Sequence, residues 1–151
     1  MRILIADDNC IFASGLAIRL SAIRPAADIE FSHSISDAMA AAQSRSFDFV
    51  FVDPLAGGSD YRRTLPGLFS SCRDRSRVVV LSAAHDFADA RFAFSCGKVS
   101  GCLAKRSPED SVSGALSLLL SGAPYYPPSA PRPRNRIGAL IAAHSLKLLR
   151  R

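Results

Sequence analysis

Five residues in this sequence have types and positions that could do chemistry together: Asp7, Asp8, Asp53, Ser82 and Lys105. Asp7, Asp53, Ser82 and Lys105 each end a short apolar run, in "RILIAD", "FDFVFVD", "RVVVLS" and "GCLAK", and Asp8 directly follows the first. If those runs are strands of one sheet, three carboxylates, a hydroxyl and an amine converge on one edge. Crowded carboxylates repel one another. A hard divalent cation relieves the repulsion, and Mg²⁺ favours a few carboxylates together with water and phosphate oxygens. A carboxylate beside such an ion can accept a phosphoryl group and become an aspartyl phosphate. The lysine then neutralises the incoming oxygens, and the serine hydroxyl donates a hydrogen bond to one of them. Taken alone, Asp7 and Asp8 read equally well as capping residues for a helix that starts near Asn9.

The elements that must position these groups follow from hydrophobic periodicity. Five apolar runs read as strands, at 2–7, 28–32, 47–53, 77–82 and 101–105. The first, third and fourth are almost continuous in Ile, Leu, Val and Phe, the pattern of strands covered on both faces. Helical signals fill the gaps. Phe12, Leu16, Leu20 and Ile23 keep helical spacing, and Pro25 follows. Ser34 with Asp37 resembles a capping box. Asp86 can cap the stretch that Gly97 ends. Ser107 as N-cap, Pro108 at the first helical position and Asp110 at the third predict the last helix, which Gly122 closes. Pro66 inside "YRRTLPGLFSSC" predicts a short third helix starting near Thr64. Strands alternating with helices imply right-handed crossovers and a doubly wound parallel α/β sheet. In such sheets ligands gather at the carboxyl ends of the strands.

The chain has 151 residues, which suits one domain over 1–122. Its formal charge of +6 is carried by the six cations after Pro131, in "RPRNRIGALIAAHSLKLLRR". The body therefore carries no sign of a nucleic-acid surface. "APYYPPSAPRP" is proline-dense and reads, over 123–134, as a linker to a basic tail at 135–151 with the pattern of a short helix. The four cysteines form no CxxC pair and read as reduced thiols, most of them packing. With no signal-peptide plan and no spanning apolar run, the expected location is cytoplasmic, with no membrane partner.

The chain resembles a receiver domain of a two-component response regulator over about residues 1–122. The acidic pair in "LIADDN", the acceptor in "FDFVFVD", the hydroxyl in "VVVLSA" and the lysine in "GCLAK" match that family's landmarks in order and spacing. "DDNCIFASGL" and "LSLLLSGAPYYPP" further resemble its LuxR/NarL-type subfamily. The resemblance implies a flavodoxin-like strand order 2-1-3-4-5. It makes Asp53 the phosphoacceptor in a phosphorelay fed by a sensor histidine kinase. It also implies Mg²⁺ held by Asp7, Asp8, Asp53 and the backbone carbonyl of Leu55. Ser82 and Lys105 become the phosphoryl-sensing pair, and Cys102 stands where an aromatic switch residue is common. Leu55 and Ala84 occupy the two positions that control the attacking water, and neither side chain can hydrogen-bond to it. The implied output is a change in the face built from the fourth helix, fifth strand and fifth helix, through which a homodimer can form. Such a protein is a switch in signal transduction and transcription regulation rather than a turnover enzyme.

Three departures set alternatives beside that reading. Pro54 directly follows the acceptor, Gly57 replaces the usual proline, and "CGKVSG" is one residue longer than the usual turn. A pseudo-receiver that binds a partner without phosphorylation is one alternative. Another is a LuxR-type regulator lacking its DNA-binding domain, because the residues after Pro133 are too few for a helix-turn-helix unit. No sequence-specific DNA binding is expected from this chain.

Overall fold

A computed structural model describes residues 1–83, 86–97 and 99–132. The strands are β1 (Arg2–Ala6), β2 (Asp28–Ser32), β3 (Phe49–Val52), β4 (Arg77–Ser82) and β5 (Val99–Ala104). The helices are α1 (Cys10–Ile23), α2 (Ile35–Ser44), α3 (Tyr61–Ser71), α4 (Ala88–Ser95) and α5 (Glu109–Leu120). All strand pairs are parallel, in the order β2-β1-β3-β4-β5. This is the doubly wound sheet expected from the alternation of elements. No helix among the described residues is long and apolar enough to cross a membrane.

Side-chain alternation along the strands divides the core into two layers. Leu4, Val50, Val52, Val78, Val80 and Cys102 pack with α2, α3 and α4. Ile3, Ile5, Phe49, Phe51, Val79, Leu81 and Leu103 pack with α1 and α5. The central strands are buried on both sides, which is why their sequences are nearly continuous in apolar residues.

The extra residue before β5 is absorbed as a bulge. Val78 pairs with Val99, but Val79 pairs with Gly101, so Ser100 has no opposite number. Without the bulge a one-residue slip would turn every β5 side chain to the other face. With it, Ser82 aligns with Ala104, and the next residue is Lys105.

Three helix starts differ from expectation, and in α4 it is Phe87, not Asp86, that holds the cap position. The third helix begins at Tyr61, not near Thr64, and carries Pro66 inside it. Asp60 caps it by accepting from the Arg62 N–H at 3.1 Å. Leu65, Leu68 and Phe69 are buried, and each such side chain contributes about 1.5–3 kcal/mol. Their sum outweighs the ~3 kcal/mol that an internal proline costs. The last helix begins at Glu109, because Pro108 is extended (ψ 150°) and itself occupies the cap position expected for Ser107. At its other end Gly122, at φ 96°, completes a Schellman motif. Its N–H donates to Leu119, and that of Ala123 donates to Leu118.

The proline-dense segment does not leave the domain freely at Gly122. Tyr125 forms a parallel bridge with Gly101, and its carbonyl accepts from the Cys102 N–H at 2.8 Å. A methyl group on Gly101 would lie 2.9 Å from the Tyr125 oxygen, so only glycine allows this approach. Tyr126 stacks edge-on against Phe94 of α4, its hydroxyl is 3.4 Å from the Val99 carbonyl oxygen, and Ala130 is buried in the same layer. The basic tail at 135–151 lies outside the described residues.

Candidate phosphoacceptor site

Ladder bonds fix the candidate residues at the carboxyl edge. The N–H groups of Asp7, Asp53 and Lys105 donate to Ser32, Ala6 and Ser82 carbonyls at 3.0, 2.8 and 2.8 Å. Strand alternation puts Asp7, Asp53 and Lys105 on the α1/α5 side. Ser82 has the opposite parity and faces α4.

Asp7 and Asp53 are almost fully buried, and Lys105 lies between them. Its Nζ donates to Asp53 Oδ2 at 2.5 Å. It is 2.7 Å from Asp7 Oδ2, an ion pair without hydrogen-bond alignment. Nζ also stands 4.8 Å from the centre of the Phe12 ring, a cation–π contact. Burial alone would lower the lysine pKa. Its close contacts with the Asp53 and Asp7 carboxylates overcome that and raise it.

Local backbone orients the carboxylates further. Asp7 Oδ1 accepts from the Asn9 N–H at 2.9 Å, at the start of α1, where Asn9 itself is the cap. Asn9, not the acidic pair, caps the helix: its Oδ1 accepts from the Phe12 N–H at 3.0 Å. Asp53 Oδ1 accepts from the Leu55 N–H at 2.8 Å. Asp8 Oδ2 accepts from the Gly57 N–H at 3.1 Å.

That last contact accounts for the glycine four residues after Asp53. Pro54 is buried in a trans linkage and leads into a 3-10 turn at Ala56–Gly58. Gly57 has φ 72°, and a Cβ there would lie 2.7 Å from Ser34 Cβ. Proline is excluded by that φ and by the N–H that Asp8 needs. The Leu55 carbonyl accepts from the Gly58 N–H at 3.0 Å, which leaves its second lone pair. The Leu55 side chain is 47% exposed. Ala84 lies outside the described residues.

Asp7, Asp8 and Asp53 each offer one carboxylate oxygen, and these all lie within 4.8 Å of one another. The donor set is hard and all oxygen, and the single ammonium beside it leaves carboxylate charge in excess. This set fits a hard divalent cation better than a soft or nitrogen-seeking metal.

One buried acid escaped the sequence reading. Asp89 is 2% exposed, on the first turn of α4. Its Oδ1 accepts from Ser82 Oγ and from the Ala90 N–H, both at 2.7 Å, while Oδ2 has no partner among the described residues. Burial, and to a smaller degree the Asp53 charge, raises its pKa. The folded protein therefore holds this proton more tightly than the unfolded chain, so the ionised side chain costs stability at neutral pH. Asp89→Asn is expected to raise the thermal midpoint by a few degrees near pH 7. The gain should close as pH falls through the raised folded value towards 3.8, the usual one. Melting curves between about pH 4 and about pH 8 measure it.

Cys102 is fully buried, and burial, then the Asp89 charge, pushes its thiol pKa up to about 12. It is therefore a neutral thiol at ordinary pH. Burial, then Cys102, also raises the Tyr126 hydroxyl to about 12.

No protein-family model matches the sequence, and no curated protein matches it. Solved structures do. A response regulator from Burkholderia pseudomallei, crystallised with a phosphorylated aspartic acid, a calcium ion and citrate, is 27% identical. The match covers 80% of this chain and 69% of that one, with a TM-score of 0.63. The chain has the fold of a response regulator receiver domain. Receiver domains of the LuxR/NarL type are among the matches. A LuxR family DNA-binding response regulator from Silicibacter pomeroyi is 22% identical, over 85% of this chain and 98% of that one, at a TM-score of 0.66. The isolated receiver domain of RcsB from Salmonella enterica, solved with phosphomimetic BeF₃⁻, is 20% identical, over 85% and 94%, at 0.65.

Proposed function

We propose that this receiver takes a phosphoryl group from a histidine kinase onto Asp53, and that Asp7, Asp8, Asp53 and the Leu55 carbonyl hold Mg²⁺ for that reaction. The observation that carries the reading is the gathering of three carboxylate oxygens within 4.8 Å, with Lys105 bonded to the acceptor. In the transfer, an Asp53 oxygen attacks phosphorus, an O–P bond forms, and the P–N bond to the donor imidazole breaks. A bound divalent cation supplies positive charge to the phosphoryl oxygens. Lys105 would supply more, and its contact with Asp53 holds the acceptor in place. The Ser82 hydroxyl turns to a phosphoryl oxygen and, with Lys105, transmits the change to α4, β5 and α5. The protein is a signalling switch, not a turnover enzyme. Loss of the phosphoryl group is slow, because the Leu55 and Ala84 side chains offer no hydrogen bond to an attacking water.

The test is incubation with acetyl phosphate and Mg²⁺, followed by intact-mass measurement. One added phosphoryl mass that hydroxylamine removes is the expected result. Removing the donor should leave that mass decaying over minutes or longer. Labelling that persists in excess chelator overturns the metal-dependent reading, and an unlabelled protein favours a partner-binding pseudo-receiver.

A further inference from the structure

A buried carboxyl group stands against Ser82 on the α4 side of the sheet. Five polar or charged residues are buried among those described: Asp7, Ser32, Asp53, Ser82 and Asp89. Asp7 and Asp53 share the Lys105 ammonium. Among the described residues Asp89 has no cation against it, only the Ser82 hydroxyl and the Ala90 amide, and its second oxygen has no partner among them. Water cannot compensate such a group, so whatever donor it has matters greatly.

The backbone around Asp89 is held in an uncommon shape. Phe87, two residues earlier, is the one non-glycine described residue at positive φ, at 53°. Its ring is buried, and Asp86 Oδ1 accepts from the Ala88 N–H at 3.1 Å. These contacts fix the first turn of α4 so that the Asp89 carboxylate meets the end of β4.

Ser82 Oγ carries one proton to donate. In this structure the proton goes to Asp89, on the α4 side of the sheet, whereas Asp53 and Lys105 stand on the other side. We infer that Asp89 is a positioning residue that holds the Ser82 hydroxyl away from the phosphoryl site, and so sets how readily the receiver responds to phosphorylation. The inference rests on Asp53 being the acceptor. A phosphoryl group on Asp53 and the Asp89 carboxylate compete for one hydroxyl proton. When the phosphoryl group wins, Asp89 is left buried with a single amide donor, and α4 must adjust around it.

The probe is beryllofluoride with Mg²⁺, a phosphoryl mimic for Asp53, with affinity measured by titration calorimetry. Asp89→Leu should bind about tenfold more tightly than wild type, the scale of one hydrogen bond to a charged group. Asp89→Asn keeps the shape and an acceptor but loses the charge, so it should tighten binding only a few-fold. Ser82→Ala should bind more weakly than wild type. Adding Asp89→Leu to Ser82→Ala should then change nothing, because the competition has lost its object.

Unchanged affinity in both Asp89 variants overturns the inference. So does an Asp89→Leu effect of equal size with and without Ser82, which would mark a purely structural role. Absence of binding by wild type and both Asp89 variants alike overturns the acceptor reading, and the inference with it. Binding by Asp89→Leu alone would show the competition at its strongest.

Discussion

Asp53→Asn is expected to abolish phosphoryl labelling outright, while Asp8→Asn only slows it. The asparagine keeps an oxygen for the Leu55 N–H, which now meets Asp53 Oδ1 at 2.8 Å. The local turn therefore survives. What disappears is the nucleophilic oxygen and the partner of Lys105, 2.5 Å away. An amide nitrogen does not attack an acyl phosphate at a comparable rate, so no phosphoryl mass should appear. Asp8→Asn leaves the nucleophile intact but removes one charged donor from the cluster and weakens the contact that holds Gly57. A cation's stabilisation of transition-state charge is worth several kcal/mol, and about 1.4 kcal/mol is tenfold in rate. Labelling slowed by about tenfold or more is the expected outcome. Intact mass against time, with donor and Mg²⁺ fixed, separates the two effects. Equal labelling of Asp53→Asn and wild type would move the acceptor to another residue.

The second large effect concerns Lys105. Lys105→Met keeps an apolar stem against Phe12 but removes the ammonium between Asp7 and Asp53. Truncating one partner of a buried ion pair typically costs about 3–5 kcal/mol, because the other charge is left uncompensated. Here two carboxylates are left facing each other, and the Lys105 side chain is only 11% exposed, so little solvent screens them. The variant should melt well below wild type in chelator. Mg²⁺ should restore much of the loss, since a ligand at a hundred times its Kd adds about 2.7 kcal/mol. The sign follows from charge alone: without the ammonium, a cation meets more negative charge and binds more tightly. The check is the thermal midpoint of both proteins across a Mg²⁺ series. Equal Mg²⁺ dependence would show that Lys105 and the cation do not share a field.

The carboxyl-edge cluster could be read from the sequence because each of its residues ends or directly follows an apolar run. Parallel strands buried on both faces leave little ambiguity of type, and β2 and β4 lie where their Ile, Val and Phe content put them. Contacts remote in sequence were not legible. Pro66 argued locally against a long third helix, and only the burial of Leu65, Leu68 and Phe69 reverses that. Asp89 looks like an ordinary first-turn acid, the usual solvated partner of a helix dipole. Its burial depends on Ser82, seven residues away on another element. The docking of Tyr125 depends on Gly101 having no side chain, while the surrounding prolines suggested a spacer.

The bridge from Tyr125 to Gly101 bears on how this sheet avoids sticking to its neighbours. Open sheet edges invite strand pairing between molecules. The β2 edge is guarded by its brevity and by Asp28 and Glu30. The β5 edge has no such charges in "VSGCLA", whose residues would suit intermolecular pairing. The returning segment covers that edge as a rudimentary sixth strand, and the prolines that follow Tyr126 deny any further strand a continuous row of donors. The same residues that look like a spacer thus act as a built-in guard against aggregation.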